Sequence, residues 1–113
     1  MSRHQREQAD RYSVDIIDMR DWSRGRRPEL QGPVYLSLDL DGLDPAFVPG
    51  VSHREPGGLT VREALGLIQG LPDPFVGADV VEYNPFCDTH GVTAQVAAKL
   101  VKEIAGRMIA GPG

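Results

Sequence analysis

The order of apolar and polar positions along the chain predicts strands that alternate with helices. Residues 14–19, 34–40 and 75–83 are rich in β-branched and other apolar side chains, so each is a predicted strand. The strand at 34–40 is almost continuously apolar, as expected for a parallel strand that is covered on both faces. The polar opening stretch, up to about residue 11, is compatible with a helix.

Two later segments have the pattern of amphipathic helices. The first, at residues 59–71, contains Thr60 and Glu63 at the S/T-x-x-E spacing of a capping box, and prolines follow its end. The second, at residues 93–110, repeats apolar side chains four positions apart. Strands that alternate with helices predict a parallel sheet with helices packed on its faces.

Two carboxylates at the end of the second predicted strand are the first candidates for chemistry. Asp39 and Asp41 are two positions apart, which places them on one side of a strand at its carboxyl end, where ligands bind in open α/β sheets. Like charges this close repel unless a cation neutralises them, and Mg²⁺ and Mn²⁺ prefer carboxylate oxygens. The alternative is that one carboxylate caps the following turn and the other is solvated. Asp44, which precedes a proline, is predicted to be a turn residue.

Composition limits the size and class of the protein. The chain has 113 residues, of which 41% are hydrophobic and 25% charged, as in a folded single domain. A net charge of −4 argues against nucleic-acid binding, and no apolar run predicts a membrane span. The single cysteine predicts a reducing compartment, interpreted as the cytoplasm. Three strands are few for a parallel sheet, so the chain is predicted to be one piece of a larger sheet.

Three segments together resemble a known family. SLDLDGLDPAFVPGVSHREPGG, GADVVEYNP and the T-A-x-x-A-A-K-L helix are similar to the carboxyl-terminal third of the ureohydrolases, the arginase and agmatinase family, and most of all to its plant-type arginases. The resemblance implies an α/β fold: a partial three-layer α/β/α sandwich with a mainly parallel sheet. Residues 1–113 would then be a single partial domain, the C-terminal third of a ureohydrolase domain.

The resemblance also implies roles for individual residues. Members of the family hydrolyse a guanidinium group to urea and an amine with two Mn²⁺ ions. Asp39 matches the carboxylate that bridges both ions, and Asp41 matches one that chelates a single ion. Glu82 matches the carboxylate that binds the substrate guanidinium, and His53 matches a position that lines the pocket. Without the resemblance, Glu82 would be interpreted as a solvated residue at a strand end and His53 as an exposed loop residue.

The family's histidine ligands, in G-G-x-H and D-A-H-x-D motifs, are not found in these residues. One hypothesis is that the chain is the C-terminal portion of a cytoplasmic, Mn²⁺-dependent ureohydrolase acting on arginine or agmatine. It would be inactive by itself, would contain no assigned catalytic residue, and would require the missing N-terminal portion or homologous subunits in a homo-oligomer. The other hypothesis is a catalytically incomplete fragment that serves as a structural or partner-binding subunit.

Overall fold

The computed structural model describes residues 2–110, which form two parallel strands and four α-helices. None of the helices within this range combines the length and the apolar character that crossing a membrane requires. In chain order the elements are α1 (Arg3–Arg11), α2 (Met19–Ser23), β1 (Val34–Asp39), a 3₁₀ turn (Leu40–Gly42), α3 (Val61–Gln69), β2 (Phe75–Val81), a second 3₁₀ turn (Pro85–Cys87) and α4 (Val92–Ala110).

The two strands form a parallel pair joined by α3. Their register places Asp39 opposite Val81, so the carboxyl ends of both strands lie at the same edge of the sheet. A parallel pair requires a crossover connection, and the long loop with α3 supplies it. The predicted α/β architecture with a parallel sheet is therefore confirmed.

The core lies on one face of this sheet. The alternate side chains of β1 pack against a buried cluster that includes Leu65 and Ile68 of α3 and Leu100 and Ile104 of α4. The other face of the sheet is open: Tyr35 is 60% exposed, and Ser37 and Asp39 are also exposed. The prediction that β1 is covered on both faces is wrong for the described residues, which supply one helical layer of the sandwich.

The start of α3 follows from its local sequence. Thr60 Oγ1 accepts a hydrogen bond from Glu63 N, and the Glu63 carboxylate accepts one from Thr60 N, each at 3.0 Å. This is the predicted capping box. The Glu63 carboxylate also accepts a hydrogen bond from the indole of buried Trp22, which connects α2 to α3.

The predicted strand at residues 14–19 is wrong. Val14 is exposed, and Asp18 is the N-cap of α2, with Oδ1 accepting a hydrogen bond from Asp21 N at 2.8 Å. A β-branched run becomes a strand only where a neighbouring strand pairs with it, and no such strand lies beside it in residues 2–110.

Candidate functional site

Asp39 and Asp41 lie together at the carboxyl end of β1, as predicted, but a turn brings them together. Asp39 is the last residue of β1, and its Oδ1 accepts a hydrogen bond from Asp41 N at 2.8 Å. Asp41 is already in the 3₁₀ turn, so the two-residue alternation of a strand does not extend to it. This bond is the one expected in the alternative in which one carboxylate caps the following turn. Asp39 Oδ1 is the only carboxylate oxygen of the pair that it uses.

The carboxylate of Asp41 has the chemistry of a cation ligand. Its Oδ1 is buried and contacts neither solvent nor a hydrogen-bond donor in the described part of the chain. A buried polar atom without a partner is costly, and a cation would satisfy this one. The pair Asp39 and Asp41 therefore fits a hard divalent ion. Among residues 2–110 no group of three or more His, Cys, Asp or Glu side chains surrounds one point, so the described residues do not by themselves form a complete coordination shell.

Glu82 lies at the same edge, directly after β2. It follows Val81, the register partner of Asp39, and it is exposed. Its φ of 71° places a non-glycine residue in the left-handed region. Such residues are uncommon, and they persist where the surrounding structure determines the backbone. The backbone of Glu82 therefore has a conformation that its residue type disfavours.

His53 lies in the loop between β1 and α3 and is exposed. The preceding part of this loop contacts the segment after β2, where Asn84 N donates to Gly50 O at 2.7 Å. Thr93, which is fully buried, accepts a hydrogen bond from Gly50 N at 2.8 Å. The structure thereby brings the loop of His53 to the segment that follows Glu82. Sequence reasoning missed Asn84 and Thr93, because only the folded chain brings them to this loop.

Asp44 is a turn residue, as predicted. Its carboxylate accepts hydrogen bonds from Ala46 N at 2.9 Å and Gly57 N at 3.0 Å. These two backbone donors, Ala46 first, lower the pKa of Asp44 below its ordinary value. The carboxylate connects the start of the loop to its end.

The two glycines at the end of the loop are required for different reasons. Gly57 has a φ of +94°, a left-handed backbone conformation that glycine adopts without steric cost. Gly58 is required by close approach, because a Cβ there would lie 2.8 Å from Gly42 O and 2.9 Å from Asp44 N. The same approach lets Leu59 N donate to Gly42 O at 3.0 Å.

Asp88 holds the start of α4. Its carboxylate accepts hydrogen bonds from Thr93 N, Ala94 N and the Tyr83 hydroxyl at 2.9 to 3.0 Å. Burial alone would raise the pKa of Asp88, but the bonds from Thr93 N, the Tyr83 hydroxyl and Ala94 N outweigh it and lower the pKa. Asp88 is therefore a structural carboxylate within this edge.

Comparison with known proteins places the chain in a family. The model of the Arginase family matches residues 1–106. The chain belongs to the arginase family. The predicted resemblance is thereby confirmed.

Individual relatives agree with this assignment. The mitochondrial arginase of Medicago truncatula is 51% identical, over 91% of this chain and 33% of the relative. A guanidinopropionase of Pseudomonas aeruginosa is 46% identical, over 73% of this chain and 26% of the relative. The chain therefore spans about a third of the length of the curated arginases it matches.

Solved structures confirm the arginase-like fold. Arginase from Medicago truncatula superposes with a TM-score of 0.88 at 48% identity, over 96% of this chain and 37% of that one. A triple mutant of T. brucei arginase-like protein bound with Mn²⁺ gives a TM-score of 0.90 at 31% identity, over 100% of this chain and 41% of that one.

The predicted cytoplasmic location is contradicted. The matching arginases of Medicago truncatula and Arabidopsis thaliana are both named mitochondrial. A single cysteine argues only against an oxidising compartment, so it does not distinguish the cytoplasm from other reducing compartments.

Proposed function

We propose that this chain supplies the carboxyl-terminal part of the active site of a ureohydrolase, which hydrolyses a guanidinium compound to urea and an amine. The observation that carries the proposal is the position of Asp39, Asp41 and Glu82 at one edge of a parallel pair, together with the buried, unpartnered Oδ1 of Asp41. The matching arginases and guanidinopropionase support the substrate class. Arginine is the first substrate to test and agmatine the second.

Asp39 and Asp41 would hold Mn²⁺, Asp39 as a bridge between two ions and Asp41 as a chelator of one. Bound Mn²⁺ would activate water and stabilise the charge that develops during hydrolysis. Asp41 N donates to Asp39 Oδ1 and so fixes the spacing of the two carboxylates. The remaining ligands would come from outside these 113 residues, which form a single partial domain.

Glu82 would bind the substrate guanidinium. A guanidinium presents a planar fork of donors that a carboxylate accepts in parallel. The exposed carboxylate of Glu82 lies at the edge of the sheet that carries Asp39 and Asp41. His53, also exposed, would line the pocket beside the substrate.

The open face of the sheet favours association with further protein. Tyr35 is 60% exposed on β1, and Val81 is 38% exposed on β2. Exposed strands of a parallel sheet are liable to associate, so the N-terminal part of a ureohydrolase domain or homologous subunits in a homo-oligomer would cover them. The same face is the observation that favours the second candidate function, a catalytically incomplete, partner-binding subunit.

The decisive experiment joins residues 1–113 to the preceding part of Medicago truncatula arginase and measures urea release and bound Mn²⁺. Asp39→Asn should abolish activity and reduce the Mn²⁺ content, because a neutral amide bridges two cations poorly. Glu82→Gln should retain Mn²⁺ but lower kcat/KM, because half of a charge-assisted pair is lost, at a cost of about 2 to 5 kcal/mol. His53→Ala should have a smaller, substrate-dependent effect.

Glu55→Gln provides a matched control, because Glu55 is an exposed carboxylate in the same loop. It should leave both measurements unchanged. Loss of Mn²⁺ from Glu82→Gln with its retention in Asp39→Asn would reverse the roles and contradict the proposal. A protein with no urea release in any form would favour the partner-binding function.

A further inference from the structure

The loop that carries His53 is connected to the segment after Glu82 by hydrogen bonds on both sides of the histidine. Before His53, Gly50 O accepts from Asn84 N at 2.7 Å, and Ser52 Oγ accepts from Asn84 Nδ2 at 3.0 Å. After it, Arg54 Nη2 donates to Cys87 O at 2.9 Å. The loop and the strand end are therefore held as one unit.

Asn84 is central to this connection. Its main chain and its side chain contact two residues of the loop, Gly50 and Ser52, and its Oδ1 accepts a hydrogen bond from Phe86 N at 3.0 Å. An amide side chain donates from Nδ2 and accepts at Oδ1 at the same time, whereas alanine can do neither. The side chain thus holds its own turn with one atom and the His53 loop with the other.

Asn84 lies close in sequence to Glu82, and its side chain bonds the residue next to His53. Two positions before Asn84, Glu82 adopts a φ of 71°, a conformation that depends on support from its surroundings. Across the bond, Ser52 is the residue directly before His53. One side chain therefore connects the segments that carry both predicted guanidinium contacts.

We propose that Asn84 is a positioning residue for guanidinium recognition, which sets His53 relative to Glu82 by holding their two segments together. The inference rests on the proposed function, because it assumes that these two residues contact the substrate. Asn84 does not contact the substrate itself. Asn84 affects binding of the substrate guanidinium. It does not affect the carboxylates proposed to hold Mn²⁺, Asp39 and Asp41, because they lie at a different turn.

Steady-state kinetics of the joined protein tests this inference. Asn84→Ala should raise KM about 3- to 10-fold, the equivalent of one or two hydrogen bonds, with kcat changed by less than about 2-fold. In the His53→Ala background the same substitution should raise KM by less than about 2-fold, because the group that it positions is gone. A residue with only a folding role would have equal effects in both backgrounds.

Thr89→Ala is the control, because Thr89 is exposed in the same segment, and it should change neither constant. Equal KM effects of Asn84→Ala with and without His53 would overturn the inference. If Glu82→Gln is as active as the parent, the proposed function fails, and the substrate role of Asn84 fails with it.

Amide hydrogen exchange of the 113-residue chain provides a second measurement that needs no activity. Asn84→Ala should accelerate exchange at residues 50–54 at least about 3-fold, the equivalent of one lost hydrogen bond, and Thr89→Ala should not. Unchanged exchange at residues 50–54 in Asn84→Ala would show that the side chain does not hold the loop and would overturn the inference.

Discussion

The hydroxyl of Thr93 provides a quantitative test of how much one hydrogen bond stabilises the loop that carries His53. Thr93 has 0% relative exposure, and its Oγ1 accepts a hydrogen bond from the amide of Gly50, which is also buried, at 2.8 Å. Thr93→Val keeps the shape of the side chain and replaces the hydroxyl with a methyl group. The Gly50 amide is then buried without an acceptor.

The magnitude follows from two opposing contributions. Leaving a buried donor unpaired costs about 1 to 3 kcal/mol. The additional buried methyl group returns at most about 0.8 kcal/mol. The expected loss in free energy of unfolding is therefore about 0.2 to 2.2 kcal/mol, with a central value of about 1.2 kcal/mol. With a urea dependence of about 2 kcal/mol per M, the unfolding midpoint should fall by about 0.1 to 1.1 M, with a central value of about 0.6 M.

Urea unfolding of the 113-residue chain, followed by circular dichroism, measures this shift. Thr89→Val is the matched control, because it makes the same chemical change at an exposed position, and it should shift stability by less than about 0.5 kcal/mol. Hydrogen exchange distinguishes the loss of the hydroxyl from the loss of packing. Thr93→Ser keeps the hydroxyl, so the Gly50 amide should stay protected from exchange. Thr93→Val removes the hydroxyl, so the Gly50 amide should lose its protection. An unchanged midpoint, or a protected Gly50 amide in Thr93→Val, would refute the reasoning.

Three further predictions concern pH, packing and metal. The backbone N–H of Thr60 and the Trp22 indole donate to the Glu63 carboxylate and hold its pKa below 4.5. The contribution of the ionised Glu63 carboxylate to stability is therefore present above pH 4.5. It is lost as the pH falls through the lower pKa of the folded state. Glu63→Gln should therefore lose less thermal stability than the parent between pH 7 and about pH 3; an equal loss would contradict this. Gly58→Ala should lower the Tm by several degrees, because its Cβ would meet Gly42 O at 2.8 Å, whereas Gly42→Ala, with no atom within 4 Å of its Cβ, should be much milder. Calorimetry should find that Mn²⁺ binds the 113-residue chain with a Kd weaker than about micromolar, since two carboxylates leave most of an octahedral shell to water. The chain alone should also release no urea. Tight binding of two ions would refute the proposal that Asp39 and Asp41 form only part of the metal site.

Local signals in the sequence determined the elements whose causes are local. The capping box of Thr60 and Glu63 begins α3 as predicted, because both hydrogen bonds join residues three apart. The turn at Asp44 formed for the same reason. Asp39 and Asp41 at the end of β1 and Glu82 after β2 lie at one edge because parallel strands share a direction, which the alternation of strands and helices already predicts.

Tertiary structure decided everything that depends on a distant partner. Residues 14–19 have the composition of a strand, but without a neighbour to pair with they form none. The left-handed backbone of Glu82 occurs at a residue type that does not favour it. The bonds of Asn84 and Thr93 to the His53 loop join residues more than thirty positions apart. Such bonds form only when packing of the core has brought both segments together, so no local sequence pattern predicts them.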